Sequence, residues 1–558
     1  MFNHKRFVRC TVNAVTLYLV AGCSTFAYNN EKLQDPGSLP LTRATFAVDS
    51  SRGNPKILMF LALSGGGSRA AYLSGATMLR LQKVFDDVDL LGEVDVISSV
   101  SGGSIAGAYY AVSRDEASLA NASRGVSATR GPSASSDSGG NNMPTSSLPT
   151  SSQRARVWKE DEVKSLMQRN YLARWILNWF WPENVLKYWF TAYDRSDIMA
   201  QTLADNLYDD PLTGRDFTFA DLNRDRPFLI LNATNATRHN DDFDGHAPFG
   251  SVMTFTSDDF KSYLLSDIMQ FPVSNAVMAS SAFPVVFPEV TMRDFTYNKC
   301  ACQQEQANLG HQEANINNQR RCATERYMHV FDGGNSDNLG LKSVKRALLE
   351  LAVKGTLPAK NSEYIIVFLV DAYTVPQGSS PWDADPRGAF DRLLDLNVLD
   401  AVDALLQANR EKSLTDFVNR KLTWREECAV DKGDFPRDLC KNLNRVFPSG
   451  EVPLDNLLFY HFGFDDVRGA SKGEDTESAR NNKLFDQLNR IPTSFNISPE
   501  HVKFLDEAVD RVLTPNNPCL QLIHDLALDK PVDFNHRREV CGEYDQRPGK
   551  NSAASVRR

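Results

Sequence analysis

The chain has no basic run of the kind that grips phosphate backbones, and acidic residues outnumber Lys and Arg by 70 to 61, for a net charge of -9. Without a basic face, a nucleic-acid partner is excluded. The apolar run near the N-terminus, Thr11 to Val20, is too short to cross a bilayer as a helix. Glycines cluster at 65–67, but that loop lacks both G-x-G-x-x-G and a closing Gly-Lys-Ser/Thr. A nucleotide-phosphate cradle is therefore not indicated. What is present is ordinary for a globular protein: 42% hydrophobic and 23% charged residues. A length of 558 residues can bury a large core, as one domain with insertions or as two domains.

The N-terminus has the order of an export signal. Lys5, Arg6 and Arg9 precede the short apolar run, and Leu19-Val20-Ala21-Gly22-Cys23 resembles a bacterial lipobox. The resemblance implies a signal peptide over 1–22, cleavage before Cys23 and lipidation of its thiol. More than one acyl chain is what stable anchoring requires. Ser24, where an Asp would imply inner-membrane retention, points to the outer membrane, on its periplasmic face or surface. The competing expectation is an incidental cysteine after an ordinary signal peptide. Residues 23–54, polar and with Pro36 and Pro40, read as a tether.

Cysteines are few: nine, with Cys10 and Cys23 in the N-terminal region. Export favours disulfides. The sequence-near pairs are Cys428–Cys440 and Cys519–Cys541, with Cys322 joined to Cys300 or Cys302 and one thiol left over. Connectivity does not follow from spacing alone. Cys300, Cys302, His311 and Cys322 would also suit zinc, but C-x-C is not a usual zinc spacing, and no metal is assigned.

Lys56 to Leu63 is continuously apolar, as in a strand buried on both faces. Ser64-Gly65-Gly66-Gly67-Ser68-Arg69 follows, then helical spacing over Ala70 to Val84. Glycines between a strand and a helix expose a row of backbone N–H groups, a site for an anion. Val94 to Val100 is a second strand, ending in Ser101-Gly102-Gly103, with helix formers from Ile105 to Val112. This strand–turn–helix is a nucleophile elbow with Ser101 at its apex, although Ser99 stands where G-x-S-x-G has its first glycine. Ordinary loop chemistry is the plain alternative. Both turns would lie at the carboxyl ends of parallel strands, where such sheets place their sites.

Residues from about 113 to 154 are Ser/Gly/Asn/Pro/Thr-rich and read as a disordered insertion. Tyr171 to Tyr193 holds four of the seven tryptophans. It reads equally as a lid or membrane-facing surface and as a bulky cap buried on the sheet. Residues 296–326 form a cysteine-bearing loop. Tyr327 to Phe331 is a strand ending at Asp332-Gly333-Gly334. His329, three residues earlier, should face away from Asp332, because strand side chains alternate. Tyr364 to Val370 and Leu457 to Phe464 are further strands. Helices at Asp391–Gln407 and His501–Leu513 complete an alternating α/β pattern. Residues 55–513 form one domain, and 514–558 read as a C-terminal tail.

Ser101, the Gly65, Gly66 and Gly67 amides and Asp332 supply a nucleophile, an oxyanion site and a base, the parts of acyl transfer. Gly65-Gly66-Gly67-Ser68-Arg69, Ser99-Val100-Ser101-Gly102-Gly103, Ala279-Ser280-Ser281-Ala282-Phe283-Pro284 and Asp332-Gly333-Gly334 resemble, in order, the motifs of patatin-like phospholipases. The resemblance covers Lys56 to Leu341 closely and extends loosely to Leu513. It implies a three-layer α/β/α sandwich with a mostly parallel sheet and inserted loops. It also implies a Ser101–Asp332 dyad, with Arg69 supporting the glycine loop. The expected activity is hydrolysis of membrane-lipid carboxylic esters, of phospholipase A or lysophospholipase type, without metal or cofactor. Ser99 and Ala70 depart from the family pattern. Two rivals stand beside this expectation. One is a Ser–Asp–His esterase using His461; the other is an inactive lipoprotein binding lipid or a partner on the same scaffold.

Overall fold

Every residue of Ile57–Leu63 (β1) is buried, and its side chains divide by parity. Ile57, Met59, Leu61 and Leu63 enter one hydrophobic cluster, while Leu58, Phe60 and Ala62 enter another. A pleated strand sends neighbouring side chains to opposite faces. An unbroken apolar run therefore marks a sheet covered on both sides. Tyr364–Val370 (β7) divides the same way, with Ile366, Phe368 and Val370 on one face and Ile365, Val367 and Leu369 on the other.

The computed structural model describes residues 30–34, 53–115, 156–238, 248–284, 286–296, 326–355, 363–374, 410–429, 434–469 and 475–545. Its central sheet contains β1, Val94–Val100 (β2), Phe228–Asn235 (β3), Val252–Thr254 (β4), Val290–Asp294 (β5), Arg326–Asp332 (β6), β7 and Leu457–Phe462 (β8). The spatial order is β8-β7-β1-β2-β3-β6-β5, with β4 also pairing β3. The run from β8 to β3 is parallel. β6 is antiparallel to β3, and its overlap is short: Val330 lies opposite Asn235 and Asp332 opposite Ala233. Asn232 is level with Val100. β6 therefore descends from outside onto the carboxyl edge of the sheet and stops with Asp332 beside the end of β2.

Helices Gly67–Leu81 (α1) and Gly102–Val112 (α2) follow β1 and β2 directly. Pro499–Val512 and Pro518–Ala527 join them on one face. Leu341–Val353 and Arg437–Val446 cover the other. The result is the three-layer α/β/α sandwich with a mostly parallel sheet. α2 is buried along its whole length; its Gly/Ala-rich surface lets neighbours close on it from all sides.

Three boundaries differ from the sequence expectation. Within the expected tether, Glu31–Lys32 pairs with Ser266–Asp267, and the buried Asn30 accepts the Arg293 N–H and donates to the Arg293 carbonyl, both at 2.8 Å. Ser113–Asp115 is a strand, not part of the insertion; it pairs with Arg156–Trp158. The expected tail from Thr514 carries two packed helices, Pro518–Ala527 and Phe534–Asp545, joined by Cys519–Cys541. Leu520, Ile523 and Leu526 sit in the main core, at a helical spacing that polar flanks obscured. Cys428–Cys440 is also formed. Cys23, the insertion at 116–155, the set Cys300, Cys302, His311 and Cys322, and the helix expected at Asp391–Gln407 lie outside the described residues. Among the described residues no cluster of His, Cys, Asp or Glu could hold a metal ion.

Candidate active site

β2 ends at Val100 and the chain turns at Ser101, whose φ of 50° is the left-handed region that non-glycine residues seldom occupy. Such a conformation persists only when its surroundings hold it. Ser101 N–H donates to Ser280 Oγ at 3.0 Å, and Ser104 N–H donates to the Ser101 carbonyl at 3.0 Å. The next residue must be glycine: a Cβ on Gly102 would stand 1.9 Å from the Gly67 carbonyl oxygen. The elbow is thus packed backbone to backbone against the turn after β1. Ser99 is fully buried, and its hydroxyl is 3.4 Å from the Ile230 carbonyl, to which it donates. That hydroxyl accepts from Ser104 Oγ at 3.2 Å.

Ser101 Oγ donates to Asp332 Oδ2 at 2.9 Å. The other carboxylate oxygen accepts the Gly334 N–H at 2.8 Å. Asp332 N–H is tied to the Ala282 carbonyl at 3.0 Å, and its own carbonyl accepts Thr234 Oγ1 at 2.8 Å. Burial pushes the Asp332 carboxyl up to about 6, against the opposing pull of the Gly334 N–H and the Ser101 hydroxyl. A carboxyl in that range is a usable base near neutral pH. Ser101 itself keeps 9% of its surface exposed.

The turn after β1 supplies the anion site. Gly66 and Gly67 have φ of 139° and 60°, and a Cβ on Gly67 would meet the Ser494 carbonyl at 2.4 Å. Their N–H groups have no hydrogen-bond partner among the described residues. Gly65 differs from the expectation: its N–H donates to the Asn338 carbonyl at 2.9 Å, so it holds the turn rather than facing the site. Asn338 lies just past the Asp332 turn, and this bond ties the two turns together. Arg69 is buried; it donates to the Ile491 carbonyl and to Thr493 Oγ1, while Ser68 N–H donates to the Ser494 carbonyl at 2.7 Å. Arg69 thus clamps residues 491–494 against the glycine turn. Ser101 caps the N-terminus of α2, and the Gly67 backbone at the start of α1 packs against Gly102, so both helix N-termini, with their partial positive charge, lie beside the serine.

His461 does not join the serine. It sits on β8, three strands from β2, about 14 Å at the usual spacing. Its Nε2 lies 2.9 Å from Asp371 Oδ2, which also accepts Arg410 at 2.6 and 2.9 Å. Burial alone would raise the Asp371 carboxyl, but Arg410 and His461 hold it well below the usual carboxylate range. The Ser–Asp–His alternative is corrected on this geometry. His329 faces away from the dyad, with Nδ1 3.0 Å from Thr291 Oγ1.

Ser280 was visible only as part of a motif, without a role. Its hydroxyl accepts the Ser101 N–H, donates to the Asn232 carbonyl at 2.6 Å and lies 2.9 Å from Ser104 Oγ. Asn232 in turn donates to the Ser99 carbonyl at 2.9 Å and to Ser98 Oγ at 3.0 Å. A cue was available: Asn232-Ala233-Thr234-Asn235 is a polar run closing a buried strand, and buried polar groups need partners.

A family model described as patatin-like phospholipase matches residues 61–345, just over half of the chain and spanning β1 to the helix after Asp332. No curated protein matches the sequence. Among solved structures, the chain is similar to human GIVD cytosolic phospholipase A2, at 12% identity and TM-score 0.37, over 85% of this chain and 63% of that one. It thus spans less than two thirds of the human protein's length. VipD from Legionella pneumophila is similar at 10% identity and TM-score 0.23, over 91% and 83% of the two chains. The type III effector protein ExoU is similar at 14% identity and TM-score 0.20, over 82% and 94%.

Proposed function

The chain belongs to the patatin-like phospholipase family, a family of lipid ester hydrolases, and on that premise we propose a lipid acyl hydrolase of phospholipase A or lysophospholipase type that works through a Ser101–Asp332 dyad. The observation that carries this reading is the 2.9 Å hydrogen bond from Ser101 Oγ to a buried carboxylate, with no histidine between them.

In the proposed reaction, Asp332 takes the hydroxyl proton as Ser101 Oγ attacks the ester carbonyl carbon. The tetrahedral oxyanion faces the Gly66 and Gly67 N–H groups, each worth roughly 3 kcal/mol of barrier. The intermediate collapses, the carbon–oxygen ester bond breaks, and the departing alkoxide takes the proton from Asp332. A water then attacks the acyl-enzyme, giving its proton to Asp332. The fatty acid leaves, and the proton returns to Ser101. Every step uses groups of this chain, the substrate or water. We also propose, from the N-terminal sequence, that Cys23 is lipidated and anchors the protein at a bacterial outer membrane. Mass spectrometry of the mature protein that finds no acyl chain on an N-terminal Cys23 would overturn that anchor.

Labelling with a serine-reactive fluorophosphonate tests the chemistry. Wild type is expected to label and to release fatty acid from phospholipid or lysophospholipid vesicles; Ser101→Ala is expected to do neither. Persistent labelling of Ser101→Ala would refute the nucleophile. His461→Ala is expected to keep its activity within a few-fold, and its inactivation without unfolding would restore the histidine alternative.

A further inference from the structure

The tryptophan-rich segment is left unused by the chemistry above. It folds as a hairpin of two helices, Tyr171–Trp179 (α3) and Pro182–Phe190 (α4). Its inner side is anchored. Tyr171 and Trp175 are buried, Trp175 Nε1 donates to the Arg195 carbonyl at 3.1 Å, and Asn178 Nδ2 donates to Thr202 Oγ1 at 2.8 Å. Its outer side is the reverse: Leu177, Phe180, Trp189 and Phe190 are 71%, 74%, 74% and 77% exposed, and Ile176 and Leu186 join them. Twelve large hydrophobic residues are exposed among the described residues, and half of them lie in this one hairpin. Such clustering, unlike single exposed side chains, marks a contact surface.

Two further observations say what it contacts. The first is continuity with the site. Rings run from Trp179 to Trp175, from Trp175 to Phe287 and from Phe287 to Phe495, each pair 5.2 Å apart. Phe495 adjoins Ser494, whose carbonyl holds the Ser68 N–H at the glycine turn. The second is chemistry. The exposed crest is Trp, Phe, Leu and Ile, while the charges beside it are the long cations Arg174 and Lys187 with a single acid, Glu183, paired to Lys187 at 2.9 Å. Aromatic crests flanked by long cationic side chains suit the boundary between headgroups and acyl chains.

We propose that the α3–α4 hairpin seats the protein on a lipid surface, with Phe180, Trp189 and Phe190 entering the headgroup–acyl boundary beside the Ser101 site. The proposal rests on the lipid-hydrolase reading, because a substrate packed in a bilayer must be met at its surface. It adds a docking face distinct from the lipidated Cys23.

The test uses the full chain carrying Cys23→Ala and Ser101→Ala, so that neither an acyl anchor nor hydrolysis intervenes. Flotation with phosphatidylcholine–phosphatidylglycerol vesicles is expected to recover this protein. Adding Phe180→Ser, Trp189→Ser and Phe190→Ser is expected to lower the partition coefficient by about tenfold or more. Phosphatidylcholine brominated on its acyl chains is expected to quench tryptophan emission, and Trp189→Phe is expected to remove part of that quenching. This single, ring-conserving variant keeps the proposal testable should the triple variant misfold. Unchanged flotation, or unchanged quenching in Trp189→Phe, overturns the proposal. So does sedimentation showing that the triple variant splits a dimer, which would assign the face to a second copy. Fluorophosphonate labelling of the chain with Ser101 intact reports separately on the chemistry. Labelling without hairpin-dependent docking sinks this proposal alone; docking without labelling sinks the hydrolase reading alone.

Discussion

A solvated aspartate titrates near ~3.9, whereas burial holds Asp332 at about 6. The difference cuts two ways. In the proposed mechanism the carboxylate is the active form, so kcat/KM is expected to rise with pH through about 6 and to plateau above it. For stability, the folded pKa lies above the unfolded one. Below ~4 the group is neutral in both states and costs nothing; as pH rises through about 6, the folded protein must carry a buried charge and loses up to about 3 kcal/mol. Asp332→Asn removes that charge. It is expected to lower kcat/KM by roughly 10²–10⁴-fold, yet to raise the unfolding temperature at pH 8 by roughly 1–4 °C. Thermal scans of both proteins at pH 4 and pH 8 check this: a variant equally or less stable than wild type at pH 8 sinks the burial account. Sequence reading could name Asp332 as base, since it closes a strand at an Asp-Gly-Gly turn. Its Gly334 partner lies in that same turn, but Ala282 and Thr234 come from two distant stretches, and no local pattern encodes them.

At the scale of elements, the site is three turns locked by backbone contact. The turn after β1 carries the N–H donors, the elbow after β2 the hydroxyl, and the turn after β6 the carboxylate. Gly67→Ala tests the first of these, because the new methyl must displace the Ser494 carbonyl 2.4 Å away and adopt a φ of 60°. Loss of one oriented donor predicts a fall in kcat of roughly 10²–10³-fold, with far less change in the circular dichroism spectrum. Wild-type turnover in Gly67→Ala would remove this turn from the mechanism. The strands were legible because unbroken apolar runs have one physical explanation in a covered sheet. That the Gly65 N–H is occupied was not legible: three adjacent glycines look alike in sequence, and only the approach of Asn338 distinguishes the first from the next two.

For the whole molecule, the packed domain reaches Asp545, and its last two helices are held by Cys519–Cys541 across a separation of 22 residues. Replacing both cysteines with serine is expected to cost about 2–4 kcal/mol, read as a lower urea midpoint. Hydrolysis of a soluble ester is expected to persist, since β2, β3 and β6 build the site; a loss of that activity in a folded variant would show that these helices shape it. From the sequence alone came the layered α/β class, the order of strand, glycine turn and helix, and the three residue types of the proposed acyl-transfer site. Those features rest on local spacing: the alternation of side chains on a strand, glycine's freedom at a turn, and the dipole of the helix that follows. Only the tertiary structure decided which groups meet. An antiparallel β6 brings Asp332, 231 residues away in the chain, onto Ser101. The same fold places His461 three strands off and spends the Gly65 amide on Asn338. It also divides the tryptophan hairpin into a buried side and an exposed crest. Distance along a chain says nothing of distance in space, and the strand order that closes that gap is set by packing on both faces of the sheet at once.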